Sequence, residues 1–192
     1  YVGVAGSDQS SDCIACALGR YSAAASDAVE DCLACALGRY SATTPIAESE
    51  CILCVAGKYV DAVGSDAEAD CVPCVVGKYV SVAGSDDAAD CIDCVAGTYI
   101  DVAGSDDQSD CIECALGKYM DSAGTAYECY CIDCMAGKYI DVTGSDQETD
   151  CIDCPTGKWL GTEGNDNVAD CIDCIAGKYL AVTGSDGEDD CI

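Results

Sequence analysis

The chain has 192 residues, with 36 acidic side chains against 8 basic ones and no histidine, for a formal charge of −28. That balance excludes a nucleic-acid partner, whose phosphates would repel it, and no apolar run is long enough to span a membrane. Twenty cysteines, no phenylalanine and a single tryptophan describe a disulfide scaffold, in which covalent loop closure replaces a large apolar core.

In chain order, the first feature is a mid-phrase opening. Tyr1 occupies the place of a repeat tyrosine, and at the far edge Cys191 and Ile192 begin a pair that is not completed. With no methionine start and no leader pattern, the chain reads as a mature segment or a cut from something longer. Its edges are expected to be cuts through a continuing array, or joints at which subunits complete one another. Between them one phrase recurs. Cys-x-x-Cys pairs open at Cys13, Cys32, Cys51, Cys71, Cys91, Cys111, Cys131, Cys151 and Cys171, with Cys191 opening the last, at spacings of 19, 19 and then 20 residues. A fixed short period marks a repeat array whose units lean on their neighbours. The expected architecture over 1–192 is therefore a single array of about ten small disulfide-rich repeats. It is pictured as an elongated, solenoid-like rod of short β-hairpins and loops with little helix.

Within each repeat the pair is followed by small or aliphatic residues, a glycine and an aromatic. The first two repeats are one residue short and carry Ala25-Ser26-Asp27 and Thr44-Pro45-Ile46 where later ones have a Gly-Ser-Asp turn. That turn recurs at Gly64, Gly84, Gly104, Gly144 and Gly184, with Gly164-Asn165-Asp166 as a variant; glycine supplies positive φ and Asp or Asn bonds the local backbone. The segment before the turn, such as Tyr79-Val80-Ser81-Val82, alternates and suits a short strand. The tyrosine is expected to cover the adjacent disulfide and the isoleucine inside the next pair (Ile92, Ile112, Ile132).

All eight bases share one column, Arg20, Arg39, Lys58, Lys78, Lys118, Lys138, Lys158 and Lys178, with Thr98 as the gap. Acids fill other columns: the turn Asp, the Asp before each pair, and the one inside it (Asp93, Asp133, Asp153, Asp173). Repeats stacked in register would turn these into stripes, read either as solvated surface or as sites of lateral packing or cation binding. One repeat departs from the rule. Around 125–131 the turn Asp becomes Ala126 and the Asp before the pair becomes Tyr130, while Tyr127 and an additional Cys129 appear. Two acids lost and two tyrosines and a thiol gained is the composition of a contact patch, so Tyr127, Cys129 and Tyr130 are intersubunit candidates.

Three chemistries use Cys-x-x-Cys. A zinc ribbon would consume two pairs per site and impose a period near 40 residues, yet odd and even pairs do not alternate. Thioredoxin-like exchange needs one activated thiol at a helix start, and no helix pattern is present. Structural disulfides remain. Bonds inside a pair would close tiny loops and leave repeats unconnected. The allocation that keeps the period joins the second cysteine of one pair to the first of the next: Cys16–Cys32, Cys35–Cys51, Cys54–Cys71, Cys74–Cys91, Cys94–Cys111, Cys114–Cys131, Cys134–Cys151, Cys154–Cys171 and Cys174–Cys191. Spacing alone leaves the connectivity open. Cys13 and Cys129 are left over, as partners of an upstream cysteine or of another subunit.

The phrase Cys-x-x-Gly-[Lys/Arg/Thr]-[Tyr/Trp]…Gly-Ser…Cys-x-x-Cys resembles the ephrin-receptor-like cysteine-rich repeat, and is similar to the first submodule of tumour-necrosis-factor-receptor cysteine-rich domains. The resemblance implies a bond from the cysteine before Gly-x-Tyr to the one closing the loop, which agrees with Cys94–Cys111 and its equivalents. The crossed second submodule of those receptors is missing. Long near-identical arrays also resemble cell-surface and flagellar-hair (mastigoneme) proteins of algae and other protists, a likeness of architecture.

No histidine, nucleotide fingerprint or hydrolase motif is present, and the carboxylates repeat evenly, so neither an enzyme nor a resident cofactor is expected. Calcium between adjacent Asp columns is the one cation considered, with Asp66, Asp86, Asp106 and Asp146 as candidates. The turn serines Ser65, Ser85, Ser105, Ser145 and Ser185 are candidates for O-linked sugars. The expected function is structural and extracellular: a disulfide-laddered rod that assembles with copies of itself into a fibre or surface appendage. The alternative is a receptor-like or adhesive ectodomain holding a protein or glycan ligand, with residues 125–131 as its one candidate patch.

Overall fold

The structure, a computed structural model, describes residues 16–22, 31–45 and 47–192. Cys13, the Ala25-Ser26-Asp27 turn and Ile46 lie outside the described residues. Two units are distinguished. The first holds the described residues up to Val75 with Tyr79–Ile92 and Ala103–Gln108; the second holds Val76–Lys78, Asp93–Val102 and Ser109–Ile192.

The building block is a loop closed by a disulfide, and the loop starting at Cys134 shows its logic. After the cysteine, Lys138 N–H donates to the Met135 carbonyl at 3.1 Å, closing a four-residue turn with Gly137 at φ 87°, a value glycine adopts without a Cβ penalty. Lys138–Tyr139 then pairs antiparallel with Ile152–Asp153, in the register Lys138↔Asp153 and Tyr139↔Ile152. The same register recurs at Lys118↔Asp133, Lys158↔Asp173 and Thr98↔Glu113 in this unit, and at Arg39↔Leu53 and Lys58↔Pro73 in the first. After the hairpin strand the chain reverses at Gly144 and forms a three-residue 3-10 turn, Glu148–Asp150. It returns on Cys151. Short antiparallel hairpins and 3-10 turns make up the fold, and among the described residues there is no α-helix.

Apart from Arg20–Ser22 and Cys32–Ala34, the strands stop after two residues, shorter than the alternation of Tyr79-Val80-Ser81-Val82 suggests: Lys78–Tyr79 is the whole strand. The reason is competition from the next loop. Val80 turns its N–H to the Ser105 carbonyl at 3.2 Å and its side chain into the interior, where it is buried. Each loop is thus bonded to its successor. In the second unit Gly137 N–H donates to Leu160 C=O (2.7 Å), Ile140 N–H to Asn165 C=O (3.1 Å) and Gly164 N–H to Cys134 C=O (2.9 Å), a set repeated from Gly97 and from Gly117.

The bonded cysteine pairs are Cys16–Cys32, Cys35–Cys51, Cys54–Cys71, Cys74–Cys91, Cys94–Cys111, Cys114–Cys131, Cys134–Cys151, Cys154–Cys171 and Cys174–Cys191. Each rung, with one aliphatic residue, forms most of a miniature core: Cys134, Ile140 and Cys151, with Tyr119 of the preceding loop packed on it. Tyr99 does the same for Cys114, Met120 and Cys131, and in the first unit Tyr59 does so for Cys74, Val80 and Cys91. The tyrosine therefore covers the next rung. The isoleucine inside the pair is not part of that core; Ile92, Ile112 and Ile132 are about half exposed, because the hairpin pleat turns them outward opposite the tyrosine backbone.

Candidate functional site

The charged columns resolve into local pairs before any surface role is needed. Across the hairpin, Lys78 Nζ meets Asp93 Oδ1 at 2.7 Å, Lys118 meets Asp133 at 2.7 Å, Lys138 meets Asp153 at 3.3 Å and Lys158 meets Asp173 at 2.9 Å. Where the inner residue of the pair is Ala34 or Leu53, the base is an arginine that donates from Nη1 to the Cys32 or Cys51 carbonyl, at 3.1 and 3.0 Å. Six of the eight bases are thus engaged across their own hairpins, and exposed pairs of this kind are worth about 0–1 kcal/mol each.

In four of the described repeats the acid before the pair caps the 3-10 turn. The Asp70 carboxylate accepts from Asp66 N–H (2.9 Å) and Ala67 N–H (3.0 Å), and Asp90, Asp150 and Asp170 act alike on their own turns. Replacing Asp150 with alanine removes two such bonds and is expected to cost about 1 kcal/mol. Tyr130→Asp, which restores the cap to the 3-10 turn Glu128–Tyr130, is expected to stabilise by a similar amount. Urea or thermal melts of the two variants check the opposite signs.

The calcium candidates are not gathered into a site. Asp66, Asp86, Asp106 and Asp146 are exposed, one per loop, and the N–H groups of Asp66, Asp86 and Asp146 point back to the capping carboxylates. Among the described residues no three His, Cys, Asp or Glu side chains come together in a manner that would hold a metal ion. The sugar candidates need a correction. Ser65, Ser85, Ser105, Ser145 and Ser185 are all buried. Ser65 Oγ donates to the Ala62 carbonyl (3.0 Å) and Ser85 Oγ to the Val82 carbonyl (3.1 Å), so these two hydroxyls stitch their turns, while the buried Ser145 hydroxyl has no hydrogen-bond partner among the described residues; none of the five is presented on the surface for a glycan. The signal missed was the position directly after a positive-φ glycine, where a short hydroxyl reaches the carbonyl three residues back.

A groove runs beside each turn, and its walls can be compared directly. In the first unit the groove lined by Val80, Gly84, Ser85, Asp86, Asp90 and Ile92 has a volume of about 380 Å³. The equivalent groove in the second unit has about 550 Å³ and is lined by Met120, Asp121, Gly124, Ala126, Cys129, Tyr130 and Ile132 among others. Each position of the first groove has its counterpart 40 residues on: Asp86 and Asp90 become Ala126 and Tyr130, Ser81 becomes Asp121, and Cys129 is added. Tyr127 and Tyr130 are 49% and 57% exposed, with ring centroids 6.4 Å apart and planes inclined by 32°. Cys129 is unbonded and exposed. The structure therefore brings three of the sequence candidates together on one turn; the fourth, Cys13, lies outside the described residues.

The surroundings of this groove are electronegative. Burial, then Glu128 and Asp101, raise the Tyr99 hydroxyl above its ordinary pKa, and burial, then Glu148 and Asp121, do the same for Tyr119. Lys118, the base on the adjoining strand, is already paired with Asp133. Apolar walls edged by carboxylates with no free cation beside them are suited to binding, not to acid–base chemistry.

No helix of the described residues is long and apolar enough to cross a membrane. No curated protein matches the chain. Residues 62–111, roughly a quarter of the sequence, match the family described as tyrosine-protein kinase ephrin type A/B receptor-like. With the regular disulfides, that match establishes a cysteine-rich repeat similar to those of ephrin-type receptors.

Proposed function

We propose that the chain is a non-catalytic, receptor-like array of the cell exterior: a ladder of disulfide-closed repeats that presents the groove at residues 120–132 to a ligand. The observation that carries this reading is the substitution of Asp86 and Asp90 by Ala126 and Tyr130 at equivalent places in the two grooves. The ephrin-receptor-like match and the nine disulfides among the described residues support an oxidising, extracellular setting.

A second reading is favoured by Cys129, an unbonded exposed thiol between two exposed tyrosines. In it, copies of the chain join into a fibre or surface appendage, with Tyr127, Cys129 and Tyr130 at the joint. Light scattering with and without reductant, followed by electron microscopy, separates the two. The receptor-like reading predicts discrete monomers in both conditions. Multimers that vanish in Tyr127→Ser/Cys129→Ser/Tyr130→Ser would overturn it in favour of the fibre.

A further inference from the structure

We infer that the groove at residues 120–132 takes a cationic, apolar-tipped segment of a different protein, in which an aromatic or large aliphatic side chain enters between Met120, Ala126, Tyr130 and Ile132 while flanking Arg or Lys side chains meet Asp121 and Glu128. This inference rests on the receptor-like reading and narrows its ligand from "protein or glycan" to one chemistry.

Three observations point the same way. The first is the groove itself. Against the equivalent groove it replaces Asp86 and Asp90 by Ala126 and Tyr130 and gains one carboxylate, Asp121 in place of Ser81, so an apolar side chain set beside Ala126 and Tyr130 strands no ion at those two places. The second is the charge. Asp121 lines the cavity and is exposed, Glu128 begins the 3-10 turn that carries Cys129 and Tyr130, and both carboxylates help to raise the phenols of neighbouring tyrosines, as Asp101 and Glu148 do. Lys118, on the strand before Met120, is occupied by Asp133. A partner with the opposite charge therefore finds unneutralised carboxylates around an apolar centre, the arrangement of a buried anchor inside a polar rim. The third is the aromatic pair. Tyr127 and Tyr130 expose their faces a ring's width apart, and an exposed tyrosine face attracts a guanidinium or ammonium group.

A second copy of this chain fits this groove badly. It brings the same net charge of −28, and six of its eight bases, Arg20, Arg39, Lys78, Lys118, Lys138 and Lys158, are already engaged across their own hairpins. A neutral sugar would use the tyrosine faces but not the carboxylate rim.

The test is a titration of the full 192-residue chain with three short capped peptides, followed by amide and methyl NMR shifts: Arg-Leu-Trp-Arg, Glu-Leu-Trp-Glu and Arg-Ser-Gly-Arg. The expected result is shifts centred on Met120, Ala126, Tyr130 and Ile132, and affinity for Arg-Leu-Trp-Arg at least about tenfold above either other peptide. That affinity should fall by a similar factor in Tyr130→Ser, which removes the apolar wall, and in Asp121→Asn/Glu128→Gln, which removes the rim. Equal binding of the acidic peptide, or of maltotriose added as a neutral sugar, at the same residues would overturn the partner class and leave the receptor-like reading standing. Shifts at these residues that appear on concentrating the chain alone would assign the groove to a second copy and overturn the inference. No response of these residues to any probe would overturn the inference and the reading together.

Discussion

Replacing Cys134 and Cys151 together with alanine is expected to destabilise the surrounding repeats by at least about 3 kcal/mol, the entropy of closing a loop of that size. The effect is large because little else closes the loop. Cys134 is fully buried, and Ile140, with Tyr119 laid over it, is the main apolar group sharing its site. Truncating the sulfurs removes the closure and hollows the only core there, so a cavity contribution adds to the entropic one. Against a typical domain stability of about 5–15 kcal/mol, such a loss should be visible as a new, lower transition in thermal unfolding. Hydrogen exchange gives the spatial prediction. Protection of Cys154, Gly164 and Leu160 amides, which bond Gly137, Cys134 and Ser185 carbonyls, should collapse, while amides inside the Cys54–Cys71 loop stay protected. Cys129→Ser is the control and should change stability by less than about 0.5 kcal/mol, since that thiol is exposed and unbonded. A double variant as stable as the parent would mean the rungs are incidental.

Gly97→Ala should be nearly as damaging, through the backbone alone. Gly97 has φ 81°, a conformation that costs a residue with a Cβ about 1–2 kcal/mol. A Cβ built there would lie 2.2 Å from the carbonyl oxygen of Gly144, two loops further along, and the backbone cannot retreat as a flexible side chain would. Overpacking of this kind adds about 1–3 kcal/mol, so a total of roughly 2–5 kcal/mol is expected. Gly157 separates the two contributions. It has the same φ of 81°, yet a Cβ there meets nothing within 4 Å, so Gly157→Ala should cost only the conformational part. Chemical denaturation of the two variants measures the difference directly, and equal costs would refute the close approach of alternate loops.

Much of this fold is legible in the sequence because the period is rigid and cysteine spacing limits the closures available. The positive-φ glycines and the scarcity of helix follow from residues close together in the chain, while the period favours the pairing of Cys94 with Cys111 without fixing it. What is hidden depends on register across the closed loop. Lys138 and Asp153 are 15 positions apart, and they face each other only once the hairpin register is known. The hint lay in their correlation along the chain: Lys78, Lys118, Lys138 and Lys158 each accompany an inner aspartate, arginine accompanies Ala34 or Leu53, and Thr98 accompanies Glu113, with Lys58 opposite Pro73 as the exception. The Gly97–Gly144 approach is harder still, because a 47-residue separation crosses two full repeats and leaves no compositional trace beyond glycine itself. At the groove, composition marked Ala126, Tyr127, Cys129 and Tyr130 as unusual. The shared wall with Met120 and Ile132 needed the fold, since Met120 begins as the core residue of its own loop.

The central claim is that oxidised cysteines join each repeat to the following one and stand in for a conventional core. Proteolysis of the unreduced protein after alkylation of free thiols, with mass analysis of the linked peptides, tests it most directly. The account predicts crosslinks between the second cysteine of one pair and the first of the next, Cys54–Cys71 through Cys174–Cys191, with the alkyl label on Cys129. Crosslinks within the pairs, such as Cys131 to Cys134, or label spread along the array with zinc released on denaturation, would contradict it.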